Sequence, residues 1–305
     1  MILFSPIPLL LDAIPPFTSC EYWKGVLQNG WGCTLGSLLA IAASYFIYRI
    51  ATRNARRDKE QEAKDTLQYF KGTVANVINI SKQQIENLET YYKQIEKNDI
   101  ELPLLSFLPL YNLKRIAEGE SMDRILVAYI RQFPGESSVK EFGKLISEVE
   151  YLYGQFLLLP DEMRLTLNYD HERKTEYQRL FKDSFTLLGQ YMLQQNPANP
   201  TPATKEIEIV MNEFATHHNS NYDIEFYNRY FFVPLNDALV AILSGIELNQ
   251  IFIQLADMTR NGKQQFNFIK SENRHSAENM KKLIPGLKNA IRDLESNATK
   301  IMAFE

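Results

Sequence analysis

A long stretch without charge is the feature that most constrains this chain. No charged residue occurs from Gly25 to Tyr48, although 23% of the 305 residues are charged. The most apolar part runs from Trp31 to Tyr48, and it extends to Ile50 if the Arg49 side chain reaches back toward water. A helix of about 20 residues crosses roughly 30 Å of hydrocarbon. The alternative, a buried helix of a soluble core, usually carries a polar stripe, which is absent here. We therefore predict a transmembrane helix at residues 31–50.

The residues that flank this stretch predict its orientation. Trp31 at one end and Tyr45 and Tyr48 at the other match the aromatic belts of membrane interfaces. Lys24 is the only basic residue before the stretch, whereas a basic cluster follows it: Arg49, Arg53, Arg56, Arg57 and Lys59. By the positive-inside rule, residues 1–30 form a short extracytoplasmic segment and residues 51–305 form a cytoplasmic domain. This predicts a single-pass protein of the cell (inner or plasma) membrane whose first partner is the lipid bilayer.

Small residues recur on one side of the predicted span. Gly32, Gly36 and Ala40 have the small-xxx-small spacing that lets two transmembrane helices approach closely. We predict that these residues support self-association, so that the protein is a homo-oligomer.

The sequence after residue 60 predicts one helix after another. Apolar residues alternate at spacings of three and four, and they predict that the membrane helix continues to about Lys97 as in a coiled coil. This stripe faces either an identical helix or the protein's own core, and we favour the core, since later segments need a partner for their apolar faces. The stripe consists of Leu67, Phe70, Val74, Val77, Ser81, Ile85, Leu88, Tyr92 and Ile95.

Later segments keep the helical pattern, and no alternation typical of strands occurs. Caps are predicted at Ser121, at Ser138 (a capping box with Glu141) and at Thr204. A helix restarts at Pro160, and the proline-rich stretch 196–203 is a loop or a boundary between subdomains. The prediction is an all-α fold, in which one N-terminal transmembrane helix continues into a long helix packed in a cytoplasmic helical bundle.

Composition and motifs exclude several kinds of chemistry. The net charge is −4, and after residue 60 there are 27 Lys and Arg against 33 Asp and Glu, so no nucleic-acid partner is expected. The phosphate-binding glycine loops, the His-Glu-x-x-His zinc motif and the Gly-x-Ser-x-Gly elbow are all absent from the sequence. We expect no metal and no cofactor. His217 is predicted to cap a helix end, and Asp237 to be a buried group held by Arg229 or Tyr230.

One histidine suggests catalysis. Arg164 precedes His171 with six residues between them in a chain predicted to be helical. This spacing resembles the Arg-x(4–6)-His signature of the HEPN-type ribonucleases. The resemblance implies that Arg164 and His171 face an interdomain cleft and cleave RNA in a dimer. The position after the arginine, usually polar in that family, is Leu165 here.

Two further functions fit the predicted architecture better than catalysis does. The leading hypothesis is a membrane-anchored scaffold or signal-relay module, without evident catalysis, whose cytoplasmic domain binds another protein. The alternative is a membrane-acting effector of a bacterial anti-phage (abortive infection) system, since such effectors often join a small anchor to a helical sensor domain.

Overall fold

The fold is built from α-helices of very unequal length. The computed structural model describes residues 30–119, 121–196, 198–217, 223–245 and 249–304, with side chains from residue 38 onward. Helix makes up 88% of it, and the described residues contain no strand, which confirms the all-α prediction. The helices are α1 (Gly30–Lys97), α2 (Tyr111–Ala117), α3 (Met122–Gln132), α4 (Ser137–Gln194), α5 (Pro202–His217), α6 (Ile224–Tyr227), a π-helical segment (Asn228–Phe232), α7 (Val233–Gly245), α8 (Gln250–Asn297) and α9 (Thr299–Met302).

The chain divides into two compact units, residues 1–65 and 66–305. Within the first unit the structure describes α1 from Gly30 onward. The second unit contains the rest of α1 and every later helix, and it holds the hydrophobic core. The predicted membrane boundary at residues 50 and 51 lies inside α1, and the topology built on it stays a prediction.

The core of the second unit confirms the predicted apolar stripe of α1, with one change of register. Leu67, Val74 and Leu88 are buried in the core of this single chain, so the stripe faces the protein's own core. Tyr91 is buried where the spacing had indicated Tyr92, which is only half-buried. Each turn of a helix is 3.6 residues, so a stripe can advance by either three or four residues at any step.

The longest packed pair of helices in this unit is α4 with α8. Their buried residues recur mostly at three- and four-residue spacings, among them Phe142, Val149 and Phe156 on α4, with an interruption on α4 between Met163 and Tyr177. Pro160 lies inside α4 rather than at the start of a new helix, so the predicted restart there is wrong. Pro285 likewise lies inside α8.

A cluster of aromatic rings fills the core around the π-helical segment. The ring centroid of Phe181 lies 4.1 Å from that of Tyr227 and 4.9 Å from that of Phe231. Phe232 lies 4.9 Å from Tyr177, and both side chains are fully buried. Because one π-helical turn carries an extra residue, both Phe231 and Phe232 enter the core in succession.

The helix caps differ from those predicted. Ser121 has a left-handed backbone with φ 63° and makes no capping bond with its side chain. The Ser138 hydroxyl donates to the Phe133 carbonyl, so it does not form the predicted capping box. Thr201, not Thr204, accepts a hydrogen bond at the start of α5, from the Thr204 amide at 3.1 Å.

The proline-rich stretch 196–203 lies between α4 and α5 in the second unit, and its last two residues, Pro202 and Ala203, already belong to α5. It connects α4 to α5, and the Tyr191 hydroxyl on α4 lies 3.0 Å from the Thr204 hydroxyl on α5. Tyr191 of α4 and Ala203 and Ile207 of α5 belong to the same core cluster, so the helices on both sides of the stretch share one core.

Candidate functional site

The first candidate is the apolar segment, which we define as residues 38–50 of α1. Its large apolar side chains are all exposed, and their positions at 100° per residue cover every face of the helix. They are Leu38, Leu39, Ile41, Tyr45, Phe46, Ile47, Tyr48 and Ile50, with exposed fractions from 47% to 69%. A helix at the surface of a soluble protein normally buries one apolar stripe. This segment therefore differs from the part of α1 between Ala63 and Ile95, which buries one.

The residues predicted for the membrane interface and for self-association are only partly described. Trp31, Gly32 and Gly36 lie outside the residues whose side chains the structure describes, whereas Ala40 is exposed. Within the described residues, no helix combines the length and the apolar character that a membrane span requires. The described residues therefore do not support the predicted transmembrane helix at residues 31–50.

The predicted basic cluster begins at Arg49, inside the apolar segment, and its residues are exposed. Arg49, Arg53 and Arg57 are four residues apart, so they form one row along the helix. Arg56 pairs with Glu60, with 3.1 Å between Nε and Oε1.

The second candidate is an apolar loop between α1 and α2, which we call the 98–110 loop. Gln84 is buried and holds its backbone: its Oε1 accepts from the Leu108 amide at 2.9 Å, and its Nε2 donates to the Ser106 carbonyl at 3.2 Å. Leu104 in the loop is 82% exposed, and Tyr111 at its end is 80% exposed. The loop is therefore held in place while it presents apolar side chains to solvent.

The third candidate is a cleft of about 640 Å³ between α4 and α8, which we call the α4–α8 cleft. Its walls combine apolar, hydroxyl, amide and acidic side chains. The lining residues are Glu162, Leu165, Thr166 and Tyr169 from α4 and Ser271, Glu272, His275, Ser276, Asn279 and Met280 from α8.

The Glu272 carboxylate lies in the wall of this cleft and is only partly paired. Its Oε1 lies 3.7 Å from Nη2 of Arg173. Its Oε2 is buried and accepts no hydrogen bond from the described residues. Arg173 is shared with another group, since its Nη1 donates to Oε1 of Gln265 at 3.2 Å. A buried oxygen without a donor is rare in native proteins and marks the cleft wall as a place where a donor is missing.

Arg164 and His171 lie on α4 near this cleft, but neither is among its lining residues. Both are exposed, and Arg164 pairs with Asp161 at 3.1 Å. At 100° per residue, seven residues bring the two side chains to nearly the same face, about 10 Å apart along the axis. The structure places them on an open helix surface within one chain, and a ribonuclease role for them stays a prediction.

The remaining predicted polar groups have structural partners. The His217 Nδ1 lies 2.9 Å from the Glu213 carbonyl at the end of α5, which confirms a role at that helix end, and its ring stacks on Tyr230. Asp237 was predicted to be buried; it is exposed instead and lies 3.5 Å from Lys263, so that prediction is wrong. Among the described residues, no group of three or more His, Cys, Asp or Glu side chains is arranged to hold a metal ion.

Comparisons with models of protein families, with curated proteins and with solved structures found no match. The cleft was not predicted from the sequence. The exposed Leu165 and Tyr169, four residues apart on α4, were the available signal, because they do not belong to the buried stripe of that helix.

Proposed function

We propose that this chain is a membrane-anchored helical protein whose second unit binds another protein as a scaffold or relay. The observation that carries the proposal is the apolar segment, in which large side chains are exposed on every face of α1. A helix that is apolar all round is stable when surrounded by apolar material, either lipid or protein. No described part of the chain surrounds it.

The lipid bilayer is the surrounding that best fits the neighbouring residues. Residues 38–48 of the apolar segment are the second half of the uncharged stretch that begins at Gly25, and a row of arginines begins at Arg49. Guanidinium groups at that position would meet anionic headgroups. A partner made only of protein would not require this pattern, in which basic residues follow the apolar residues and the preceding stretch has no charge.

The proposed protein-binding role rests on the 98–110 loop. Exposed apolar side chains held on a fixed backbone lose little conformational freedom on binding, which favours association. Leu104 and Tyr111 are exposed, and the backbone of the loop is fixed by its hydrogen bonds to the buried Gln84 side chain. Both side chains are exposed, so they are not part of the buried core of the second unit.

Membrane fractionation tests the anchor. We expect the full chain to stay in the membrane pellet after an alkaline carbonate wash. Leu39→Asp combined with Ile41→Asp should move it to the supernatant, because each charge near the centre of a span costs about 2.5–3.5 kcal/mol. The matched control is Leu193→Asp with Ile209→Asp, two exposed positions of the second unit. Extraction of the unaltered chain by carbonate would reject the anchor.

The natural cysteines test the orientation. Cys20 lies before the predicted span, and the chain has only one other cysteine, Cys33. In intact cells, a membrane-impermeant maleimide should label Cys20 in a Cys33→Ser variant. A cysteine introduced at the exposed Ser296 of a cysteine-free chain should be labelled only after the cells are opened. The reverse pattern would place the second unit outside.

Site-specific crosslinking tests the protein-binding surface. A photoreactive amino acid at Leu104 should give a discrete crosslinked species in cells, and Tyr111→Ser in the same chain should weaken it. The control places the same group at Leu193, which is 88% exposed and lies far along the chain from the loop. Identical products from both positions would count against a specific surface at the loop.

A further inference from the structure

The α4–α8 cleft has a ligand chemistry of its own, separate from the proposed anchor and the loop. We propose that it binds a small organic cation, with an ammonium or guanidinium head and an apolar body. The inference needs only the second unit, so it holds or fails independently of membrane attachment.

The size and composition of the cleft fit a small molecule. Ligand sites usually measure about 300–1,000 Å³ and combine apolar walls with a few polar groups. This cleft measures about 640 Å³. Leu165 and Tyr169 form an apolar wall on α4, and both are more than half exposed because nothing in the described chain covers them. Met280 lies on the α8 side.

The charge of the lining selects a cation. Glu162 and Glu272 line the cleft from its two sides, and no lysine or arginine is among its described lining residues. An anionic ligand would meet two carboxylates, which repel it. A cation is attracted by Glu162 and by Glu272, which Arg173 approaches from outside the lining at 3.7 Å. Tyr169 offers an aromatic face on which a cation also binds favourably.

Glu272 supplies the specific contact. Its buried Oε2 lacks a hydrogen-bond donor, and Arg173 approaches its other oxygen, Oε1, at 3.7 Å. The Glu272 side chain as a whole is 39% exposed. A rotation of its carboxylate toward the cleft would present Oε2 to an ammonium or guanidinium N–H, which would donate to it and complete its hydrogen bonding. Hydrogen bonds that involve an ionised group are about twice as strong as neutral ones. A neutral amphiphile of the same shape would gain the apolar contacts without this bond.

A matched series of probes tests the charge requirement. The probes are 4-phenylbutylamine, 4-phenylbutanol and 4-phenylbutyrate, titrated calorimetrically into the full chain in detergent, with empty micelles titrated as the blank. We expect the amine to bind at least tenfold more tightly than the alcohol, and the carboxylate to give no heat above the blank. Equal affinity of amine and alcohol, or no binding of the amine, would overturn the proposal.

Two variants on α8 locate the site. Glu272→Gln keeps the side-chain shape and removes its charge, and it should weaken amine binding at least tenfold. The control Glu278→Gln removes a charge from an exposed position outside the cleft lining, and it should leave amine binding unchanged. Thermal unfolding of both variants shows whether Glu272→Gln still folds. If Glu272→Gln does not fold, the same titration is made with Leu165→Glu or Tyr169→Leu, which alter the opposite wall of the cleft. The affinity of these variants for the amine should also differ from that of the unaltered chain.

A basic peptide is the competing occupant. An amphipathic peptide of leucine and lysine is titrated under the same conditions. If it binds more tightly than 4-phenylbutylamine and Glu272→Gln weakens it equally, the cleft is a protein-docking groove and the small-molecule proposal fails.

Discussion

The hydroxyl groups of Tyr91 and Ser276 lie 3.1 Å apart in the buried core, 185 residues apart in sequence. The first belongs to α1 and the second to α8, so this hydrogen bond joins the long N-terminal helix to the last long helix of the second unit. Both side chains are buried, so water does not replace the bond easily if one partner is removed.

Removing either hydroxyl should destabilise the second unit. Tyr91→Phe and Ser276→Ala should each lower the free energy of unfolding by about 1–2 kcal/mol, because each leaves a buried hydroxyl without its partner. The double variant should lose less than the sum of the single losses. Urea unfolding followed by circular dichroism measures all three. Tyr111→Phe is the control, because its ring is 80% exposed and water can serve its hydroxyl. Additive losses would show that the two hydroxyls do not interact.

The same pair shows what periodicity can and cannot predict. The apolar spacing of α1 predicted the helix, its end near Lys97 and the burial of Leu67, Val74 and Leu88. It placed Tyr92 in the stripe instead of Tyr91. After Leu88 the stripe can advance by three residues or by four, and which of the two tyrosines is buried depends on the side chain that it meets on another helix. That partner is Ser276 on a helix far along the chain, and local spacing carries no information about it.

The cleft was unpredictable for a related reason. Sequence reasoning selected Arg164 and His171 because their types and spacing suggested chemistry, but the structure leaves both on an open surface. The cleft lies where the facing surfaces of α4 and α8 are not in contact. The position of that gap depends on how the two helices pack along their length, which local sequence patterns do not specify. A missing donor at Glu272 Oε2 is likewise visible only once every neighbour is placed.

Stability should fall at alkaline pH. Burial and the neighbouring Glu141 carboxylate raise the pKa of Tyr129 from 10.0 to about 12. Between these two values the unfolded chain has lost the phenolic proton and the folded chain has kept it, so unfolding becomes more favourable as pH rises. The contribution is fully present below pH 10 and is lost as pH approaches about 12.

The variant Tyr129→Phe tests this pH dependence. Burial also raises the pKa of Tyr91 and of Tyr177, so the unaltered chain should lose stability steeply above pH 10. Tyr129→Phe should reduce the slope of unfolding free energy against pH in this range and leave the slope near pH 7 unchanged. Equal slopes above pH 10 in both proteins would contradict the assignment.

Gly262 should be intolerant of any side chain. A Cβ added there would overlap the ring of the fully buried Phe232. Gly262→Ala should therefore destabilise the second unit by about 1–3 kcal/mol through overpacking. Gly154→Ala is the matched control, because no atom lies within 4 Å of its added Cβ, and it should stabilise α4 by about 0.5–1 kcal/mol. Thermal unfolding of the two variants should shift in opposite directions.

Self-association of the proposed span depends on residues whose side chains lie partly outside the described region. Gly36 lies between Gly32 and Ala40 in the small-xxx-small spacing, so a second copy could approach its backbone closely. Gly36→Leu should weaken dimerisation in detergent about tenfold, measured by sedimentation equilibrium. Ala42→Leu is the control, since at 100° per residue it lies about 120° away from Gly36 around the helix. The apolar segment is exposed on every face, so lipid can surround it without a second copy. A strictly monomeric full chain, unaffected by Gly36→Leu, would therefore reject self-association and leave the anchor intact.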